Sequence, residues 1–388
     1  MNRRCNFALP VFLCLYFAQA AFSLAAAPAP IPGAGAPAKA ELPAEPALNA
    51  GLTWLKNNQN ADGSWSDRKY PVITALCLLA VERSNHPART NICDKAARFI
   101  ASSAQKDGGI YKPAAPGRGG SALSVHNTAV CMTALHSFDR KTYQQIILKG
   151  REFIASSQVS SNSSYVGGFG YDKTAGGTLA QADLNNTAWA LMAMRATQEI
   201  ESSRPDGKRV DINWTAVRGF LQKMQSLDKR EDSYGGFGYE LEPALGRSFL
   251  TKTGSSSEHG YGTMTYAGLT AMIYAQVDRN DPRVRAALDW ACRHWTLEEN
   301  PGVSKGGIFC YYNIMAQSLS MFGDTITSES GKTRRWKRLL VEKLVSTQKP
   351  GGYWVNSDNQ FWEGDPAVVT AYSVMALLYT LEDKPNPK

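Results

Sequence analysis

The sequence predicts an all-α fold, an (α/α)6 toroid of six helical hairpins with an inner barrel of six helices inside an outer barrel of six. Three observations predict it. A short pattern, first met as WLKNNQNADGSW (54–65), recurs down the chain. Each copy ends a run that mixes apolar with charged residues, and each precedes a run of helical length that is small or apolar on nearly every side. Hairpins of this kind cannot bury their apolar faces singly. Inner helices that are apolar all round need cover on both sides, which a closed ring supplies better than an open superhelix.

The first residues stand apart. Arg3 and Arg4 precede the apolar run FALPVFLCLYF (7–17), and A-x-A-like sites follow at Ala18-Gln19-Ala20 and Ser23-Leu24-Ala25. Residues 1–25 therefore read as a secretory signal peptide, too short and wrongly flanked to span a bilayer. No Cys follows the small residues as a lipoprotein signal requires, so the expectation is a soluble protein exported to the periplasm or the extracellular space. Residues 26–46, rich in Ala, Pro and Gly, read as an extended linker, and 47–384 as the toroid.

Of the 388 residues, 43% are hydrophobic and 20% charged, the balance of a globular protein with a substantial core. The formal net charge is +8, and cleavage after residue 25 removes two arginines and no acid. The remaining excess is mild and leaves no nucleic-acid footprint. Five cysteines lie beyond residue 25: Cys77, Cys93, Cys131, Cys292 and Cys310. Their odd number and the lack of C-x-x-C predict mostly buried thiols with at most two bridges.

The later copies of the pattern are FIASSAQKDGGIY (99–111), FIASSQ…GGFGY (153–171), FLQKMQ…GGFGY (220–239), a degenerate DWACRHW (289–295) continuing to GGIFCYY (306–312), and LVSTQKPGGYW (344–354). Their anchors are Gln59, Gln105, Gln158, Gln225, Trp295 and Gln348. The charged residues Lys56, Lys95, Arg98, Arg151, Glu152, Arg218, Lys223, Glu342 and Lys343 mark the first helix of each hairpin as solvated on one face. The buried partners are predicted over 69–81, 124–135, 182–194, 263–275, 311–322 and 365–381. Between the two helices, Asp62-Gly63 and its equivalents supply a left-handed turn.

Trp54-Leu55-x3-Gln59-x3-Gly63-x-Trp65 resembles the QW motif of squalene and oxidosqualene cyclases. The other copies resemble the related prenyltransferase/squalene-oxidase repeat, over roughly residues 48–382. The resemblance implies a toroid of the terpenoid cyclase/protein prenyltransferase kind. It also implies that each motif Gln stacks on its Trp and bonds backbone at a neighbouring helix end.

If the ring closes, every inner helix starts at one rim, and six N-termini favour an anionic ligand group there. The N-cap residues Ser124, Asp183 and Asp365 are the competing partners for those amides. Asp183-Leu184-Asn185-Asn186-Thr187-Ala188 resembles the D-x-D-D-T-A motif of class II terpene cyclases, whose middle aspartate is the general acid. Asn185 stands in that place and carries no acidic proton, so the resemblance leaves Asp183 and Asp365 as the catalytic candidates, with Glu258 and Glu363 as other places for an acid. Ile308-Phe309-Cys310-Tyr311 and Val369-Thr370-Ala371-Tyr372 resemble the zinc-holding segments of protein prenyltransferases, but Cys310 alone is kept, too few donors for zinc. The thioester motif of the complement toroids is absent. No metal and no cofactor are expected.

The expected ligand-binding residues are His126, Asn127, Asn185, Asn186, His259, Tyr266, Tyr312, Asn313 and Trp362, near inner-helix starts or glycine turns. His86, His136 and His294 read as surface or outer-helix residues. Insertions at 171–182 and 239–262 lie on the same side. The expectation is a toroid that binds an apolar or isoprenoid-like small molecule with an anionic head, or a partner protein, in or over its hole. An enzyme with a relocated acid is one alternative. A polysaccharide-active barrel is another, for which Asp183 and Asp365 are the one carboxylate pair to offer.

Overall fold

The computed structural model describes residues 44–113, 122–161, 164–173, 182–242, 247–250 and 260–382, with backbone alone at 242 and 247–250. The signal segment, most of the linker, Glu258 and His259 lie outside the described residues.

Six outer helices alternate with six inner ones. The outer set is α1 (Ala44–Asn57), α3 (Arg89–Ala101), α5 (Gln144–Ser157), α7 (Trp214–Met224), α9 (Pro282–Arg293) and α11 (Trp336–Thr347). The inner set is α2 (Pro71–Glu82), α4 (Ser124–Asp139), α6 (Leu184–Ala196), α8 (Gly262–Tyr274), α10 (Ile308–Leu319) and α12 (Pro366–Leu381). Each inner helix packs on the next, and α12 packs back on α2, so the ring is closed. Helix α1 begins at Ala44, so the last three residues expected in the linker are helical. Two short antiparallel pairs, β1 (Glu240–Glu242) with β2 (Arg247–Leu250) and β3 (Ile326–Thr327) with β4 (Thr333–Arg334), decorate the helical ring.

Local chemistry shows why the pattern folds this way. Trp65 and Trp354 are fully buried, and each indole N–H donates to a carbonyl of its own outer helix, Leu55 and Leu344, at 2.8 Å. Gln59, Gln158, Gln225 and Gln348 each donate to the turn glycine's carbonyl, at 3.0–3.1 Å. Each also donates to the start of the next outer helix, at Ile92, Asn213, Arg283 and Ala47 respectively. The Gln348 bond to Ala47 ties the last outer helix to the first. Gln105 departs from the rule and bonds within its own turn, to Ser103 and Tyr111. A further element repeats on the inner helices. Thr74, Thr128, Thr187, Thr265 and Thr370 accept the backbone N–H of Trp65, Ile110, Phe169, Phe237 and Trp354.

The turn glycines are fixed by contact as well as by conformation. A Cβ on Gly63, Gly167 or Gly235 would sit 2.1–2.3 Å from a backbone carbonyl of the next outer helix, and all three have positive φ. The charge pattern misplaced one residue. Arg151 is fully buried, where its guanidinium bonds Glu201 (2.6 Å), the Met194 carbonyl (2.6 Å) and Thr197 (2.8 Å). Burial of that charge is tolerable because a carboxylate and several acceptors surround it. The five cysteines from Cys77 onward are all free thiols.

Gly235→Ala should destabilise the protein by about 3 kcal/mol, combining left-handed strain with the carbonyl clash. Gly207→Ala, at φ +81° with open space around its Cβ, should cost about 1 kcal/mol. Urea unfolding of the two variants measures the contrast.

Candidate functional site

All six inner helices begin at the glycine-turn rim, and the chain itself caps each one. The Val72 N–H of α2 donates to Asn127 Oδ1 (2.9 Å), and the Ser124 N–H of α4 to Asp172 Oδ1 (2.7 Å). Asp183 Oδ1 accepts from Asn186 N–H of α6 (2.8 Å), and Asn300 Oδ1 from Thr263 N–H of α8 (3.1 Å). Glu363 Oε1 accepts from Cys310 N–H of α10 (2.7 Å), and Asp365 Oδ1 from Ala367 N–H of α12 (2.9 Å). Four carboxylates and two amides thus occupy the ends where an anion was expected. The expectation of an anion site is corrected: each helix start already bonds a side-chain acceptor of the chain itself, a carboxyl group at four of the six. Ser124 is no cap for its own helix; its hydroxyl accepts the Lys173 N–H.

Below this rim lies a cavity of about 240 Å³. Its walls are aliphatic (Val72, Ile73, Leu76, Leu123, Met264, Val368) and aromatic (Tyr171, Trp189, Tyr239, Tyr261, Phe361, Trp362, Tyr372). The polar groups are His126, Asn185, Thr263 and Cys310, and among the described residues the lining holds no carboxylate, lysine or arginine. At the mouth, Phe361 and Trp362 both adopt positive φ, +57° and +66°, and the Trp362 ring lies 4.5 Å from that of Tyr70. Two successive non-glycine residues in this region store strain that the surrounding contacts must hold.

His126 is oriented by a relay. Asn186 donates from its amide nitrogen to Asp183 Oδ2 (2.6 Å), which turns its amide oxygen toward His126 Nδ1 (3.0 Å). That network assigns the proton to Nδ1. Beside His126, whose ring centroid is 6.1 Å from that of Tyr171, the Tyr171 and Tyr239 hydroxyls share a hydrogen bond of 2.6 Å. Burial, with Asp183 and Tyr171 close by, holds the Tyr239 phenol far above its ordinary range. Burial also pushes the half-buried Cys310 thiol up to about 12. Glu363, fully buried, is raised to about 7 by desolvation, against the opposing pull of backbone N–H groups at the start of α10 and of the Asn356 amide.

The structure places His126, Asn185 and Trp362 on the cavity wall and the other expected residues that it describes elsewhere. Asn127 is buried, caps α2 and bonds the Ala122 carbonyl. Asn186 is buried between His126 and Asp183. Tyr266 is 1% exposed and packs on Tyr311 inside the wall. Tyr312, also 1% exposed, gives its hydroxyl to the Leu297 carbonyl. Asn313 lines a different cavity at the opposite end of the ring. Asp183 and Asp365 are N-caps outside the cavity lining, which removes them as a carboxylate pair acting across it. His136, expected at the surface or on an outer helix, sits in the last turn of inner helix α4 and also lines the opposite cavity.

Sequence reasoning missed Trp189 and Tyr372. Trp189 had a usable signal: it lies four residues after Asn185, on the same helical face, among small residues. Among the described residues no group of three or more His, Cys, Asp or Glu could hold a metal ion, and no helix is long and apolar enough to cross a membrane.

Comparison with known proteins agrees on the architecture. No family model matches the chain. A segment of 67 residues is 37% identical to ent-copalyl diphosphate synthase 2 of Isodon eriocalyx, covering 16% of this chain and 8% of that one. The type II terpene cyclase MstE from Scytonema, in complex with its product merosterolic acid A, superposes with a TM-score of 0.56 at 13% identity, covering 87% of this chain and 96% of the cyclase. An inactive variant of an α-1,6-mannanase from Salegentibacter, in complex with α-1,6-mannotetrose, superposes with a TM-score of 0.55 at 10% identity, covering 86% and 99%. The fold is therefore a terpenoid cyclase-like α/α-toroid. Its cavity sits at the glycine-turn rim, walled by aromatic and aliphatic side chains.

Glu363 supplies a pH test. A carboxyl held more basic in the folded state than in the unfolded one favours folding most below the ordinary value of 4.5. That contribution is lost as pH rises toward about 7. Unfolding free energy should therefore carry a downward slope of up to ~1.4 kcal/mol per pH unit through that window. In Glu363→Gln the slope should vanish, read by urea unfolding at half-unit steps of pH.

Proposed function

We propose that this protein is an exported binding toroid whose rim cavity takes an apolar, isoprenoid-like molecule. One observation carries the reading: the cavity wall is aliphatic and aromatic, with four polar residues and, among the described ones, no charged side chain. Burial of apolar surface is then the main driving force, at roughly 25 cal/mol per Å². At about 240 Å³ the cavity falls near the small end for ligand sites, so the ligand is a short chain or ring system, or a longer one that passes out beside Trp362. The similar cyclase MstE has also been seen with geranylgeranyl dihydroxybenzoate as substrate, which supports an isoprenoid in a cavity of this architecture. The capped helix ends argue for a neutral rather than an anionic head. Export rests on Arg3, Arg4 and the apolar run after them.

A second reading, an enzyme of the same architecture, is favoured by the relay that fixes His126 at the wall. Its chemistry would be proton transfer by the imidazole on a bound ligand. Asn185, at the wall where the class II cyclase motif has its acid, carries no proton for alkene activation. Glycan cleavage is the weaker reading, because it calls for two carboxylates facing the bond.

Titration of the full-length protein with farnesol should quench tryptophan fluorescence saturably, through Trp189 and Trp362. Trp362→Ala should weaken binding about tenfold, the equivalent of ~1.4 kcal/mol. Absence of saturable quenching, together with native mass spectra free of any retained apolar molecule, would remove the proposal. Conversion of the added alcohol, abolished in His126→Ala, would favour the enzyme instead.

A further inference from the structure

The inner helices also enclose a second space, at the end where they terminate. This cavity measures about 420 Å³ and lies beyond Trp189 and Met192, which line it as well as the narrow gap leading toward the rim. Its chemistry differs from that of the rim cavity. Arg83, His136, Arg140, Asn313, Gln317 and Tyr379 contribute to its wall, with Trp189 and Tyr274 adding flat aromatic faces.

Two buried polar atoms around this space have no hydrogen-bond partner: Asn313 Oδ1 and, in the adjoining gap, Thr270 Oγ1. Asn313 is 3% exposed and Thr270 4%. Buried groups of this kind destabilise a fold unless something bonds them. The surrounding charges, by contrast, are already matched. Arg83 pairs with Glu382, Arg140 with Glu199, and Arg195 gives its guanidinium to the Tyr274 carbonyl at the end of α8. Burial lowers the basicity of His136, against the opposing pull of Glu199.

We propose that this second cavity binds a neutral, polyhydroxylated molecule such as a saccharide unit. One hydroxyl donates to Asn313 Oδ1, and one that reaches into the adjoining gap donates to Thr270 Oγ1. Each requirement excludes a competitor. An ammonium finds no unmatched carboxylate at the wall, because Glu382 and Glu199 already bond Arg83 and Arg140. A carboxylate or phosphate would find both arginines already neutralised and six helix C-termini, with their partial negative charge, around it. A wholly apolar guest would leave the amide and hydroxyl oxygens unbonded. A neutral polyol answers the acceptors without adding charge, and its ring faces suit the aromatic walls. The proposal is independent of the isoprenoid reading, because it concerns another cavity and another chemistry.

Saturation-transfer NMR on the full-length protein, with glucose, mannose and N-acetylglucosamine as separate probes, tests it. At least one monosaccharide should bind saturably. Asn313→Leu should weaken that binding tenfold or more while raising the thermal midpoint of the unliganded protein, since the variant removes an unbonded buried acceptor. Thr270→Val, which deletes a hydroxyl at nearly constant shape, should weaken it by a smaller factor with circular dichroism unchanged. If no monosaccharide binds, or binding is the same in both variants as in wild type, the assignment is wrong. It is equally overturned if farnesol, and no sugar, is displaced by Asn313→Leu.

Discussion

The fold depends on a contact between backbones. Three glycine turns lie so close to the next outer helix that no side chain fits between them, with hypothetical Cβ distances of 2.1–2.3 Å at Gly63, Gly167 and Gly235. A glutamine from the same turn then locks the pair by bonding both sides of the contact. The consequence is angular: every hairpin must present its turn to its neighbour in the same way. Made by Gln59, Gln158 and Gln225 around the ring, that relation is completed by Gln348, which reaches Ala47. The exact hydrophobic content of any one helix matters less than this repeated docking, because a repeat buries its apolar face only against its neighbours.

Closure in this form fixes the electrostatics of the rim. Parallel inner helices bring all their N-termini to one side, which would make a strongly positive mouth if nothing intervened. The chain intervenes from three directions: neighbouring inner helices (Asn127), turn residues (Asp172, Asp183, Asn300, Asp365) and a segment before α12 (Glu363). Each cap satisfies an amide and also subtracts local positive potential. An apolar cavity can lie directly beneath such a rim, since every inner-helix start has a side-chain acceptor bonded to it. Glu363 shows the cost of this arrangement. Its burial is deep enough to raise it to about 7 even with backbone N–H groups bonded to it.

Legibility in the sequence followed the range of the interactions. Gln59, Trp65 and Gly63 act within a dozen residues of one another and recur, so the hairpins, their order and their closure could be read directly. Cavity residues depend on helical phase, which the inner helices conceal because they are apolar on every side. Adjacent residues then part company: His126 reaches the cavity while Asn127 caps a neighbouring helix, and Tyr312 is buried in the wall while Asn313 faces the far end. The glutamine tie at Gln348 could be expected from its motif. The partner of Asp183 could not, because Asn186 reads alike as a ligand contact and as the bridge to His126.

Helix direction finally explains why one ring encloses two unlike spaces. At the starts of the inner helices, side chains from elsewhere must supply acceptors for backbone N–H groups, and acidic or amide residues gather there as caps, turned away from the cavity. At the ends, the exposed groups are carbonyls, and arginines gather instead: Arg83 and Arg140 directly after α2 and α4, and Arg195 in the last turn of α6. Arginine is long and carries several donors, so it reaches into the lumen while pairing with Glu382 or Glu199. Carboxylate caps are short and stay in the wall. The rim cavity is left with the more apolar wall and the far one with the more polar, and Trp189, spanning both, separates two environments within a single barrel.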